Sequence, residues 1–293
     1  MYGLLVVCFL AFCMGCEEDV DAVLGTDQVF SLFGVFTPQA DTQKVRVYPI
    51  EGMLQPASPI PLDARFTSTD MQTGDVRVWR DSLVQEANGQ VAHIFWSPFR
   101  AEYGHTYRVE VARSDGAVAR VDVIVPPFAD LIEQETPAGF PIRAPVLVDG
   151  EVPRLLKVEV TYHFRARFLS ETNLEVGEVL LSYDDKIERV SGGWVIPVDL
   201  STDFLEIRRR LLMQGRLDAN FGIQLSRIRL DLIAASEDWN PPGGVFDADV
   251  LVQPGTLSNV EGGFGLVAAG YRLDKAWLPP NEVLRAAGFT VSL

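Results

Sequence analysis

The sequence predicts a mainly β protein of two domains, and three observations carry that expectation. Short runs that alternate apolar and polar side chains recur along most of the chain, the period of a half-buried strand. Turn residues punctuate these runs, most sharply at Asp115-Gly116. Only one long stretch, 201–214, carries helical spacing instead.

The first domain is expected over 28–127. Val29 to Phe36 opens it and ends at Thr37-Pro38. Val45-Arg46-Val47-Tyr48 and Val76-Arg77-Val78-Trp79-Arg80 alternate cleanly, while four prolines between 49 and 61 mark a loop. His93-Ile94-Phe95-Trp96-Ser97 reads as another strand. Thr106 to Ala112 then turns at Ser114-Asp115-Gly116 and returns as Val118 to Val125, a hairpin with its turn residues in place. About seven strands in ~100 residues point to an immunoglobulin-like β-sandwich. Pro126-Pro127 closes it as a stiff hinge.

The second domain, 128–293, is expected to be antiparallel β with one or two short helices. In Leu155 to Phe168, Val158, Val160, Tyr162, Phe164, Ala166 and Phe168 share one face. Strands at Glu178–Tyr183 and Trp194–Val198 flank a turn at Ser191-Gly192-Gly193. The helix near 201–214 is read with Asp203 as N-cap and Glu206 completing a capping box. Its apolar face is read as Phe204, Leu205, Leu211 and Leu212, with Gly215 as a left-handed stop. Apolar parity in Ile223 to Ala234 switches at Ser226-Arg227, which predicts a β-bulge. A second short helix is expected around Asn281–Ala287.

The chain opens on an uncharged apolar run, Tyr2–Gly15. It is shorter than the ~20 residues of a bilayer-spanning helix and has the length of a signal-peptide core. Gly15 places a small residue before Cys16, and Cys13-Met14-Gly15-Cys16 resembles the bacterial lipobox. Gly15 and Cys16 fit that pattern. Cys13 stands where Leu is usual, and no Lys or Arg precedes the run, so an uncleaved or ordinary signal stays open as the alternative. A redox reading of Cys13-x-x-Cys16 lacks the folded strand and helix that such a pair needs. The expected order is a lipoprotein signal peptide at 1–15, lipidation at Cys16 and an acidic linker at 16–27. With Cys8 and Cys13 in the leader, no disulfide is left to the mature chain. The acids Glu17-Glu18-Asp19 and Asp21 resemble export signals of surface lipoproteins in Bacteroidota-like bacteria, or serve as a solvated spacer.

Net charge is −15, which makes nucleic acid a poor partner. Arg208-Arg209-Arg210 is the basic cluster, read as a solvated face near a helix C-terminus or as an anion contact. Gly263-Phe264-Gly265-Leu266-Val267-Ala268 has the letters of a dinucleotide fingerprint, but no βαβ unit surrounds it. Its glycines instead suit a strand that another backbone approaches. His93, His105 and His163 are far apart in sequence, and the usual zinc- and serine-hydrolase motifs are missing. Asp184-Asp185 and Asp247-x-Asp249 lack a calcium-loop context. No cofactor and no metal is expected. Trp79 and Trp96 are the candidate ligand-contact aromatics, while their phase in the alternation favours core packing.

Tyr103-Gly104-His105-Thr106-Tyr107-Arg108-Val109, through Asp115-Gly116 to Val125-Pro126-Pro127, resembles the first-domain close of an uncharacterised two-domain lipoprotein family of Bacteroidota and relatives. Leu230 to Trp239 and Asn259-Val260-Glu261-Gly262-Gly263-Phe264-Gly265 resemble later motifs of that family. The genes of that family often neighbour TonB-dependent outer-membrane transporters. The resemblance therefore implies an outer-membrane lipoprotein with a transporter partner, acting without catalysis as an accessory or ligand-capture module. The alternative is a stand-alone surface adhesin or structural lipoprotein, and a hydrolase with an unrecognised site is the third reading.

Overall fold

The computed structural model describes residues 28–50, 60–85, 91–167, 174–214, 222–239 and 258–291. The expected leader, Cys16 and the expected acidic linker lie outside them, as do Phe168, Gly215 and the Asp247/Asp249 pair.

Alternation does in the first half what the sequence predicts. β1 (Phe30–Phe36), β2 (Gln43–Pro49), β6 (Val91–Ser97) and β5 (Arg80–Gln85) lie side by side in that order. Facing them run β4 (Val76–Val78), β3 (Arg65–Asp70), β7 (Thr106–Ala112) and β8 (Val118–Ile124). These orders are the A-B-E-D and C′-C-F-G sheets of an immunoglobulin-like sandwich. Phe30, Leu32, Val45, Val47 and Phe95 of one sheet bury against Phe66, Val109, Val111, Val121 and Val123 of the other. With no cysteine in this half, aromatic packing bridges the sheets: Phe66 stacks on Phe95 at 5.2 Å and lies 4.6 Å from Trp79. The 112–118 hairpin forms as predicted, with Gly116 at φ +92°.

Tyr107, near the start of β7, is 1 % exposed, and its hydroxyl accepts the backbone N–H of Glu102 at 2.9 Å. This is the tyrosine corner of such sandwiches. Tyr107→Phe orphans that N–H and is expected to destabilise the sandwich by about 1–2 kcal/mol, read as a lower urea midpoint with an unchanged slope.

The two halves share a strand. β16 (Gly263–Trp277) pairs in parallel with β1, from Phe30↔Gly263 to Phe36↔Ala269. It then continues antiparallel to β15 (Gln224–Ala235), from Ala235↔Gly270 to Ile228↔Trp277. Residues 263–269, assigned by sequence to the second domain, thus complete the first sandwich. Glycine makes the pairing possible: Gly265 has φ +104°, and a Cβ there would lie 1.9 Å from the Leu32 carbonyl oxygen. The dinucleotide-like letters are a strand that another backbone approaches. The Asn259 side chain both donates to and accepts from Val267, at 2.8 and 3.0 Å, pairing the strand on its other edge. Glu261 and Arg120 exchange backbone hydrogen bonds and tie this segment to β8. Gln39 likewise grips the Arg272 backbone just past the end of β1.

The second sandwich faces β12 (Leu174–Ser182), β11 (Arg154–Arg167), β15 and the end of β16 against β13 (Glu188–Val190), β14 (Gly193–Asp199), β10 (Arg143–Asp149) and β9 (Asp130–Glu133). Val158, Val160, Tyr162 and Phe164 are fully buried, as their alternation requires. The predicted bulge is present: pairing shifts between His163↔Arg227 and Phe164↔Leu225, leaving Ser226 unpaired. Its hydroxyl donates to the His163 carbonyl at 2.8 Å. Pro126-Pro127 carries the chain from the first sandwich to the second, braced where the Tyr271 hydroxyl donates to the Pro127 carbonyl at 2.7 Å.

Helix α1 (Leu200–Met213) differs in phase from its predicted form. Asp199, not Asp203, is the N-cap, accepting the Thr202 N–H at 3.0 Å. The buried stripe is Leu200, Asp203, Ile207 and Leu211, while Leu205 is 60 % and Leu212 41 % exposed. Leu200 and Ile207 set the rotation, and they carry a carboxylate inward between them. Helix α2 (Asn281–Ala287) forms where expected and meets α1 through Phe204 and Phe289, 5.0 Å apart.

Candidate functional site

The two tryptophans do not form a platform. Trp79 is 5 % exposed within the first core, and its Nε1–H donates to Ser68 Oγ at 2.9 Å. Its selection as a ligand contact is corrected: Phe36, Phe66 and Phe99 pack around the ring. Trp96 lies on the opposite face of its sheet, half-buried, donating to Ser82 Oγ at 2.9 Å beneath the Arg80 guanidinium.

Each histidine is tied to its own carboxylate. His93 Nδ1 lies 2.8 Å from Asp81, His105 Nδ1 2.9 Å from Asp70, and His163 Nδ1 3.7 Å from Glu178. Among the described residues no three His, Cys, Asp or Glu side chains converge as a metal site. Asp184 is engaged by β11 and by its own turn, accepting the Val158 N–H and the Ser182 hydroxyl, each at 2.9 Å.

The most unusual polar group is Asp203, 1 % exposed inside the second core. One of its oxygens accepts the hydroxyls of Tyr162 and of Tyr183, the latter at 2.5 Å. Tyr183 in turn accepts the Asp199 N–H at 2.9 Å. Burial pushes the Asp203 carboxyl above its ordinary value, against the downward pull of the two hydroxyls. Burial also pushes both tyrosines up. The cluster fastens the start of α1 to β11 and is closed to solutes.

On the exposed side of α1, Arg209 and Arg210 both bind Glu206 at 2.7 Å, and these bonds hold its carboxyl down to about 2. This is the solvated, self-compensated face that sequence offered as one reading of the arginine cluster.

What remains open is a groove at the end of the second sandwich, beyond Trp277. Its volume is about 390 Å³. Leu225 and Leu284 form its floor, Leu278 and Val291 its walls, and Arg165 and Asn281 stand on its rim. The sequence places these elements together by three devices. The bulge at Ser226 bends the start of β15. Pro279-Pro280 ends β16 and starts α2. Thr290 then returns to donate to the Ile223 carbonyl at 2.9 Å. Sequence reasoning found the bulge and the helix but not the groove between them. β1 enters beside Gly263 and the groove lies past Trp277, so the two are separated by the whole shared strand. Its 15 residues span up to ~50 Å at ~3.3 Å per residue.

The fold and this groove define a protein of two β-sandwiches fused through one strand, with an open site at one end. No protein-family model matches the chain, and no curated protein does. Among solved structures, one similarity is to the crystal structure of a pullulanase from Anoxybacillus sp. LM18-11. It shows 11 % identity and a TM-score of 0.22, covering 78 % of this chain and 29 % of the pullulanase. The chain thus spans less than a third of that structure, and so slight a likeness carries neither fold nor activity across.

Proposed function

We propose that this protein is a non-enzymatic lipoprotein, held in the outer membrane through Cys16, that captures a ligand as an accessory module beside a TonB-dependent transporter. The observation that carries the reading is the polarity of the shared strand. The chain leaves its lipid attachment, crosses the linker and enters the first sandwich at one end of β16, while the groove opens past the other end. A linker of 11 residues after Cys16 adds up to ~40 Å at ~3.5 Å per residue. Its acids are repelled by anionic lipid and so stand off the bilayer. Such an arrangement holds a binding site away from the membrane on a braced support. The lipobox-like Gly15-Cys16 pair and the family resemblance support the same reading.

Two measurements test it. Cys16→Ser is expected to move the protein from the membrane to the soluble fraction and to abolish acyl-chain labelling. A mild-detergent pull-down of the tagged protein is expected to bring a TonB-dependent barrel in near-equal amount. Recovery of an acylated protein alone removes the transporter from the proposal.

A further inference from the structure

We infer that the end groove binds a small monocarboxylate with an aliphatic body, its carboxylate on Arg165 and its body over Leu225, Leu278 and Leu284. This rests on the ligand-capture reading and gives it a chemical class.

Charge is the first argument. The chain has 40 acids against 25 basic side chains, and of the arginines in the second sandwich without an ion pair among the described residues, Arg143, Arg208 and Arg285 included, Arg165 is the one that lines the groove. In this sandwich Arg209 and Arg210 bind Glu206, and Arg229 and Arg272 bind Asp231. Arg165 is exposed at the groove and forms no ion pair among the described residues. A guanidinium presents a planar fork that matches a carboxylate with two parallel hydrogen bonds. Asn281, also exposed on the rim, adds an amide donor and an acceptor. The Ser226 hydroxyl donates to the His163 carbonyl. One cation among neutral polar side chains, Asn281, Gln224 and Ser226, suits a single negative charge better than a phosphate ester carrying two.

Shape and lining are the second argument. Leu225 and Leu284 are 4 % and 1 % exposed, a floor continuous with the core, and Leu278 stands 48 % exposed beside it. Among the described residues no aromatic ring lines the groove, and its lining there is aliphatic and polar. At about 390 Å³ it falls near the low end of the ~300–1,000 Å³ usual for ligand pockets. An aliphatic acid of medium length fits that description, and so does the terminal residue pair of an apolar peptide. The two share one chemistry, a carboxylate on a branched or linear aliphatic body.

Calorimetry on the full-length chain carrying Cys16→Ser separates these sources and tests the site. Decanoate and N-acetyl-leucyl-leucine serve as acids, with 1-decanol and the peptide amide as neutral counterparts. At least one acid is expected to bind, about tenfold or more tighter than its neutral counterpart, and whichever binds identifies the source. Arg165→Gln is expected to erase that preference while leaving the neutral compound's affinity unchanged. Leu278→Glu is expected to weaken acid binding at least tenfold. Both changed side chains are exposed, and an unchanged urea midpoint confirms that each variant folds. Binding of neither acid, equal binding of acid and neutral forms, or a preference that survives Arg165→Gln overturns the inference. The membrane pull-down is independent of these outcomes, so either can fail alone.

Discussion

Asp203→Ala is expected to destabilise the second sandwich by about 3–5 kcal/mol, because two buried tyrosine hydroxyls lose their common acceptor at ~1–3 kcal/mol each. Asp203→Asn keeps an oxygen for both hydroxyls and is expected to lose no more than about 2 kcal/mol. Trp194 and Trp277 lie at this core, so urea unfolding followed by fluorescence reads both variants. If Ala and Asn lose equally little, the cluster does not fasten the helix. The same pair of proteins yields a pH signature. Burial raises the folded-state value of Asp203 above 3.8, so the native chain keeps a proton that the unfolded chain has released. Its contribution is whole below that unfolded value and declines as pH rises through the folded one. The stability advantage of wild type over Asp203→Asn is therefore expected to shrink from pH 4 upward and then level off. Asp115 and Glu206, each held down to about 2 by arginine, act in the opposite direction. They are present in both proteins and cancel in the difference.

Gly265→Val is expected to be the most damaging substitution in the first sandwich, at least ~3 kcal/mol. Its side chain meets a positive φ and the Leu32 carbonyl together, so the β1–β16 ladder must open. Gly116→Ala provides the control. Gly116 also has positive φ, at +92°, but nothing lies within 4 Å of its added carbon, so about 1 kcal/mol is expected. Thermal unfolding of Gly265→Val is expected to split into two transitions, an early one for the loosened first sandwich and a later one for the second. A single transition shifted no further than that of Gly116→Ala contradicts the close approach.

The parts of the fold legible in the sequence are those fixed by near neighbours. The faces of β11, the Asp115-Gly116 hairpin, the bulge at Ser226 and the glycine-spaced strand each follow from a few adjacent side chains. The phase of α1 was not legible. Phe204, Leu205, Leu211 and Leu212 offer one apolar stripe and Leu200, Ile207 and Leu211 another. The choice falls to the core that takes Leu200 and Ile207, and to tyrosines on β11 and after β12 whose hydroxyls donate to the carboxylate carried inward between them. The strand shared between sandwiches was equally hidden, since its parallel partner lies more than 230 residues away, near the other end of the chain. Trp79 follows its alternation phase into the core, the reading that periodicity favours over a ligand platform. The groove is assembled from β11, β15 and the segment after β16, and no local pattern announces such a meeting.

That distant pairing also orders events in time. Gln39 and Arg272, joined across 233 residues, come together only after all of the intervening polypeptide has left the ribosome. β1 is made long before β16, yet its edge waits for that strand. Closing so long a loop is entropically slow, and high contact order retards folding. Until β16 arrives, β1 presents an unpaired edge open to wrong partners. Maturation of the first sandwich is therefore tied to synthesis of β16: a chain stalled before Gly263 carries most of an immunoglobulin-like sheet but not the strand that seals it.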